Sequence, residues 1–115
     1  MSAWLICGGR YYRDTTREWA VLDALVEEFG RPAIIIEGGA DGADAIAKQW
    51  ADVRGIAVAT VEAKWNQHGK RAGYIRNAAM LYLQPSLVVC FPGGKGTEMM
   101  YQLAKEAKVK TLRFS

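Results

Sequence analysis

Apolar residues along this chain fall into short continuous runs that alternate with stretches where they recur every three or four positions. Ala3 to Cys7 (AWLIC) is apolar throughout and stops at Gly8-Gly9, which predicts a buried strand. The same pattern predicts strands over Ala33 to Glu37, ending at Gly38-Gly39, and over Ile56 to Val61. A fourth covers Leu87 to Phe91, ending at Pro92-Gly93-Gly94, and a short fifth covers Lys110 to Phe114. Helical spacing predicts helices over Thr15 to Phe29, Asp41 to Arg54, Lys70 to Leu83 and Thr97 to Ala107.

Thr15 and Glu18 match a T-x-x-E capping box, and Trp19, Leu22, Val26 and Phe29 form the inward stripe of the first helix. Gly30 and Pro32 end it. Asp41 is expected to cap the second helix, with Ile46, Trp50 and Val53 inward and Gly55 closing it. The third helix follows a loop over Glu62 to Gly69. It is expected to turn Ile75, Ala79 and Tyr82 to the core and to end at Pro85. Apolar strands alternating with amphipathic helices imply a parallel sheet covered on both faces. The expected fold class is α/β: one Rossmann-like three-layer sandwich over residues 1–115, with a mostly parallel five-stranded sheet.

Length and composition agree. At 115 residues, half of them hydrophobic and 23% charged, the chain suits one soluble domain and excludes a disordered tail, a collagen repeat and a coiled coil. No apolar run approaches the ~20 residues of a membrane helix, and no basic segment precedes an apolar one at the N-terminus. Cys7 and Cys90 form no CxxC and read as small buried hydrophobes in a reducing cytosol, so a cytoplasmic location is expected. His68 is the single histidine, which excludes a multi-histidine metal site, and neither a metal nor a cofactor is expected.

Charge is uneven. Residues 1–62 hold 6 Lys/Arg against 10 Asp/Glu, a balance of −4; residues 63–115 hold 9 against 2, a balance of +7. A basic half suggests an anionic partner. No zinc knuckle, RNP sequence or basic helix with interleaved aromatics appears, so nucleic acid is not the expected partner. A small phosphate-bearing ligand fits the positions of the basic residues better.

In a doubly wound sheet, ligands bind at the carboxyl ends of the strands. Three glycine pairs reach that edge: Gly8-Gly9, Gly38-Gly39 and Gly93-Gly94. Glycine admits close backbone approach, and the helix N-termini that follow favour anions. The strongest segment is Pro92-Gly93-Gly94-Lys95-Gly96-Thr97, whose amides, lysine and hydroxyl can hold a phosphate. It lacks Walker A spacing, and the first turn lacks G-x-G-x-x-G, so neither a P-loop NTPase nor a dinucleotide oxidoreductase is expected. Arg10 can bind phosphate bidentately or pair with Asp14. Asp41 and Asp44 can serve the dipole of the second helix or hold ribose hydroxyls. Lys70, Gly73 and Asn77 share one face of the third helix, where Arg76 and Asn77 are candidate contacts and Gly73 hints at close approach. Trp65 can stack on a base or anchor its loop.

The segments CGGRYYRD, EGGADGADAIAKQWA, WNQHGKRAGYIRNAAM and VVCFPGGKGTEMM, in that order, resemble the YspA/YpsA-related branch of the SLOG superfamily over nearly the whole chain. That superfamily includes LOG-type phosphoribohydrolases, DprA-like DNA-binding proteins and sensors of nucleotide-derived signals. The resemblance implies a Rossmann-like fold with Gly93, Gly94, Gly96 and Thr97 as phosphate binders and Gly8, Gly9 and Arg10 as a second wall. It matches Arg76 to an arginine that LOG-type enzymes place on the helix before this strand. Those enzymes also carry a glutamate shortly beyond the loop threonine. Here Glu98 stands earlier than that position, which leaves Arg76 and Glu98 as candidate catalytic residues and weakens the hydrolase reading. The expected function is therefore binding of a nucleotide-derived molecule, as a sensor or a sequestering protein. The alternative is N-glycosidic hydrolysis of a nucleotide. A homo-oligomer is expected, with Tyr82, Met99, Met100 and Tyr101 as candidate contact residues.

Overall fold

The computed structural model describes residues 2–115, with Lys70 described by its backbone alone. Five strands form one sheet: β1 (Ala3–Cys7), β2 (Ile34–Glu37), β3 (Ala57–Thr60), β4 (Leu87–Cys90) and β5 (Lys110–Arg113). Their order is β3-β2-β1-β4-β5, and every pairing is parallel. The sheet is thus wholly, rather than mostly, parallel. β1 and β4 lie inside it with Trp4 opposite Leu87 and Cys7 opposite Cys90. These two strands read as unbroken apolar runs because both of their faces are covered.

Helices α1 (Thr15–Phe29) and α2 (Ala43–Val53) cover one face, where Leu22, Leu25 and Trp50 pack on Trp4, Ile6, Ile35 and Val89. The other face is covered by α4 (Ala72–Tyr82) and α5 (Lys95–Glu106), through Met80, Met100 and Ala104 on Leu5, Ile36 and Val88. A short helix α3 (Trp65–His68) and a 3₁₀ turn (Gly69–Arg71) lead into α4. No helix among the described residues is long and apolar enough to cross a membrane.

The chain winds outward from β1 to β3, crosses over, and winds outward again from β4 to β5. The seam between β1 and β4 is where the winding reverses. In such sheets the connections leaving the two strands diverge to opposite faces and open a crevice at their carboxyl ends.

Several local expectations are corrected. The cap of α1 is Asp14, whose carboxylate accepts the Arg17 N–H at 3.0 Å. The T-x-x-E pair makes no capping box, and Glu18 turns into the core instead. The cap of α2 is Gly42 rather than Asp41, which is exposed. Val53 points to solvent, and Phe29 is only partly covered. The third predicted helix divides into α3, the 3₁₀ turn and α4. On α4, Ala79 and Tyr82 face outward while Ala72, Asn77 and Met80 are buried. The last helix begins at Lys95, two residues before the predicted Thr97, because Gly94 serves as its cap.

Candidate functional site

The seam is closed at its carboxyl end by backbone on backbone. The Gly9 N–H donates to the Pro92 carbonyl at 2.8 Å, and the Phe91 N–H donates to the Cys7 carbonyl at 2.8 Å. There is no room here for side chains. A Cβ on Gly8 would lie 2.5 Å from that of Ala43, and one on Gly9 would lie 3.0 Å from the Gly93 Cα. A Cβ on Gly93 would collide with the Thr97 hydroxyl. These three glycines let the two loops and the start of α2 meet at the seam.

Above this junction opens a cleft of about 900 Å³, within the usual range for small-molecule sites. Of the residues singled out in the sequence, Gly8, Gly9, Arg10, Asp44, Arg76, Asn77 and the segment Pro92 to Thr97 all line it. Gly38, Gly39, Asp41 and Glu98 do not. The Lys70 side chain lies outside the described residues. Tyr11, Tyr12, Tyr74 and Met99 line the cleft as well, and Trp65 joins them. The tyrosines lie within segments that carry the family resemblance, but no residue pattern assigned them a role. Only their place beside the glycine loops could have signalled them.

The first turn of α5 forms one wall. Its first i→i−4 bond runs from the Glu98 N–H to the Gly94 carbonyl at 3.0 Å. The amides of Lys95, Gly96 and Thr97 precede that bond and are free of it. Around Gly94 and Gly96 a Cβ would meet nothing within 4 Å. These two glycines differ from the seam glycines: the fold leaves space beside them and they do not fill it.

The opposite wall is built from α4. The Asn77 amide donates to the Gly96 carbonyl at 3.2 Å and its oxygen accepts from Arg76 Nε at 3.0 Å. Arg76 also donates to the Gly38 carbonyl at 2.9 Å. These two residues thus tie α4 to the first turn of α5 and to the end of β2. Gly38 leaves room for the arginine, since a Cβ there would sit 2.5 Å from the guanidinium. Gly38 therefore shapes the cleft from behind. The close approach hinted at by Gly73 is that of Trp65, whose ring edge lies 3.5 Å from where a Cβ would be.

Two carboxylates at this edge are buried. Asp44 accepts the Ala40 N–H at 3.2 Å. Burial pushes its pKa from 3.8 up to about 7, assisted by the charge of Glu37 and opposed by the Ala40 hydrogen bond and by Arg76. Glu37 turns the other way, accepting the Gly39 N–H at 2.7 Å and the Thr60 hydroxyl. Glu98 is directed away from the cleft into a pair with Arg113 and a bond with Gln102, and these two contacts lower its pKa. No cluster of three metal-ligating His, Cys, Asp or Glu side chains occurs among the described residues. The Cys7 and Cys90 sulfurs, unrelated in the sequence, meet across the seam at 3.4 Å. Cys7 donates its S–H to Cys90, which raises the pKa of Cys7 and lowers that of Cys90.

Comparison with known proteins adds two findings. The family model YAcAr, described as the YspA, cpYpsA-related SLOG family, matches residues 5–68. The chain is also 33% identical over 120 aligned positions to the Gene 61 protein of Mycobacterium phage D29, covering 96% of this chain and 94% of that protein.

Proposed function

Because the chain belongs to the YspA, cpYpsA-related SLOG family, we propose that its cleft binds a nucleotide-derived small molecule: a nucleoside phosphate, an ADP-ribose-like compound or a cyclic nucleotide signal. Its anionic group rests on the first turn of α5. One observation carries this reading: the fold leaves open space beside Gly94, which caps α5, and beside Gly96, a glycine that it does not need. Neither has a positive φ, and both have open space where a side chain would go. Inside a helix, glycine at position 96 costs about 0.5–1 kcal/mol relative to alanine. Bare backbone amides facing an anion give that cost a use.

The remaining lining suits the rest of such a molecule. Arg10 and Lys95 are exposed cations beside the loop. Tyr11, Trp65 and Tyr74 offer partly exposed rings to a base, and such stacking is worth about 1–3 kcal/mol. Asp44 can accept from ribose hydroxyls. The role is that of a sensor or a sequestering protein.

The test mixes the protein with a panel of nucleoside phosphates, ADP-ribose and cyclic nucleotides, filters it, and analyses the filtrate by mass spectrometry before and after heating the retained protein. One compound is expected to be retained and released intact. Gly96→Ala is expected to melt at the same or a higher temperature while retaining at least tenfold less. A variant that retains ligand like the wild type would remove the α5 turn from the site. Retention of nothing in the panel would overturn the nucleotide reading.

Asp44 favours a second reading, N-glycosidic hydrolysis. A buried carboxyl titrating near 7 in a cleft can protonate a departing base while water adds to the anomeric carbon of the sugar. This moves the acid role from Glu98 to Asp44. On this reading free base and a sugar phosphate appear in the filtrate, and turnover falls as pH rises past about 7. Asp44→Asn then lowers turnover by about a hundredfold or more, well beyond any loss of ligand retention. Intact recovery of the compound sets hydrolysis aside.

A further inference from the structure

Cys7 and Cys90 lie 83 positions apart in the chain, yet they end β1 and β4 and stand in register across the seam. Their side chains share one face of the sheet, packed with Met80 and Met100 beneath α4 and α5. Both thiols are free. Neighbouring strands lie about 4.8 Å apart, inside the Cα separation of roughly 4.4–6.8 Å that a disulfide spans. With the sulfurs already at 3.4 Å, a bond needs them to close by about 1.4 Å, which side-chain rotation supplies. The two thiols differ in access. Cys7 lines the cleft and is 8% exposed, whereas Cys90 is sealed behind it at 0%. Their hydrogen bond lets the pair hold one negative charge with one proton between the sulfurs. It draws the Cys90 thiol down, helped by the charge of Arg113. Passing that proton from Cys7 to Cys90 puts the thiolate on Cys7, where the charge of Arg76 favours it. The thiolate is the nucleophilic form. A reachable thiol with a second one beside it is directed to a disulfide rather than to the irreversible sulfur acids.

We propose that Cys7 and Cys90 form a redox-modification site, at which a hydroperoxide entering the cleft oxidises Cys7 and Cys90 resolves the product to a disulfide across the seam. The Cys7 thiolate attacks one oxygen of the hydroperoxide. The S–O bond forms as the O–O bond breaks, and the departing oxygen takes up the proton lost when the pair ionised, leaving as water or an alcohol. The Cys90 sulfur then attacks the sulfur of the Cys7 sulfenic acid. The S–S bond forms as the S–O bond breaks, and hydroxide leaves as water with the Cys90 proton. Two thiols give up two electrons in all, and the peroxide bond takes up the same two. Cys7 directly precedes Gly8-Gly9, and Cys90 precedes Phe91-Pro92-Gly93. The disulfide therefore ties the two cleft loops together at their roots. This inference does not depend on which ligand the cleft holds.

Treating the full chain with a small excess of hydrogen peroxide tests it, with unreacted thiols alkylated after unfolding and the products read by mass spectrometry. The expected product is a single chain lighter by two hydrogens, with no thiol left to alkylate and the peptides of Cys7 and Cys90 linked. Dithiothreitol is expected to restore both thiols. Because the fold holds the sulfurs together, cross-linking is expected to be at least about tenfold faster in the folded chain than in urea. Cys90→Ala, checked for folding by circular dichroism, is expected to lose the cross-link and to hold a sulfenic acid at Cys7 that dimedone traps. Where that variant fails to fold, the wild-type products and the comparison with urea decide. Two thiols surviving the treatment would overturn the proposal, as would a link between two chains or equal rates with and without urea. Oxygen added to Cys7 without a link to Cys90 would overturn it as well, because Cys90 would then not be the resolving thiol.

Discussion

Replacing Glu18 by glutamine is expected to abolish a loss of stability that the wild type suffers between pH 7 and pH 9. Glu18 is fully buried in the first turn of α1, and neither of its carboxyl oxygens has a partner. Burial raises its pKa from 4.5 to about 9, and the charge of Asp44 pushes in the same direction. The sign follows from linkage. The folded state holds the proton more tightly than the unfolded chain, so the contribution of Glu18 to stability is greatest below pH 4.5 and declines as pH rises toward 9. At ~1.4 kcal/mol per pH unit well below its folded pKa, and with half the carboxyls ionised by pH 9, Glu18 alone removes about 2 kcal/mol between pH 7 and 9. Asp44 acts with the same sign, but most of its contribution falls between 3.8 and about 7, and the small remainder above pH 7 is common to both proteins. Urea unfolding at pH 7, 8 and 9 gives the check, read as the difference between wild type and Glu18→Gln so that groups common to both cancel. A difference that does not change with pH would show that Glu18 is not buried and unpaired as described.

Gly42→Ala is expected to cost more than any other substitution of one small residue for another in this chain. Gly42 caps α2 with φ 75° and ψ −130°, a conformation that side chains rarely adopt. A Cβ there would also run into the backbone carbonyls of Gly9 and Arg10. Gly30 provides a control. It has φ 87° and ψ 165°, yet nothing lies within 4 Å of its Cβ position. Gly30→Ala therefore reports strain alone, about 1–3 kcal/mol. Gly42→Ala adds a collision with backbone that cannot move without opening the seam, and at least about 3 kcal/mol is expected in total. Thermal unfolding of the two variants separates the terms. Equal losses would mean that the β1 loop yields, and that the cleft floor is not rigid.

The fold was legible because its physics is local. Strands such as Ala3–Cys7 and Leu87–Cys90 are apolar on both faces, and only a covered parallel sheet accepts them. The clustering of the glycine loops at one edge followed from that topology. What escaped were features that depend on which competitor wins. Asp14 and Thr15 are both good caps, and spacing alone could not reveal that Asp14 takes the amide and frees Glu18 to turn inward. On α4 periodicity separated two faces but could not say which is inside. The spacing turns Ile75, Ala79 and Tyr82 to the core, whereas the buried side carries Ala72, Met80 on the sheet, and Arg76 and Asn77 at the cleft. Glu98 and Asp44 are likewise indistinguishable as letters. Contacts with Arg113 and Gln102 draw one away from the cleft, and burial turns the other into a group that titrates near neutrality.

The sheet also divides the charge. The helices on one face, α1 and α2, come from the acidic residues 1–62; those on the other, α4 and α5, come from the basic remainder. The molecule is therefore an electric dipole laid through the thickness of its sheet, with α4 and α5, the walls of the cleft, on the basic side. A diffusing anion feels a torque as well as an attraction. It is repelled along one face and drawn along the other, with its charged end toward α5. The field that sorts these approaches reaches about 8 Å at physiological ionic strength and about 30 Å in dilute buffer. Capture rate, far more than residence time, carries the imprint of how the two halves of the chain were charged.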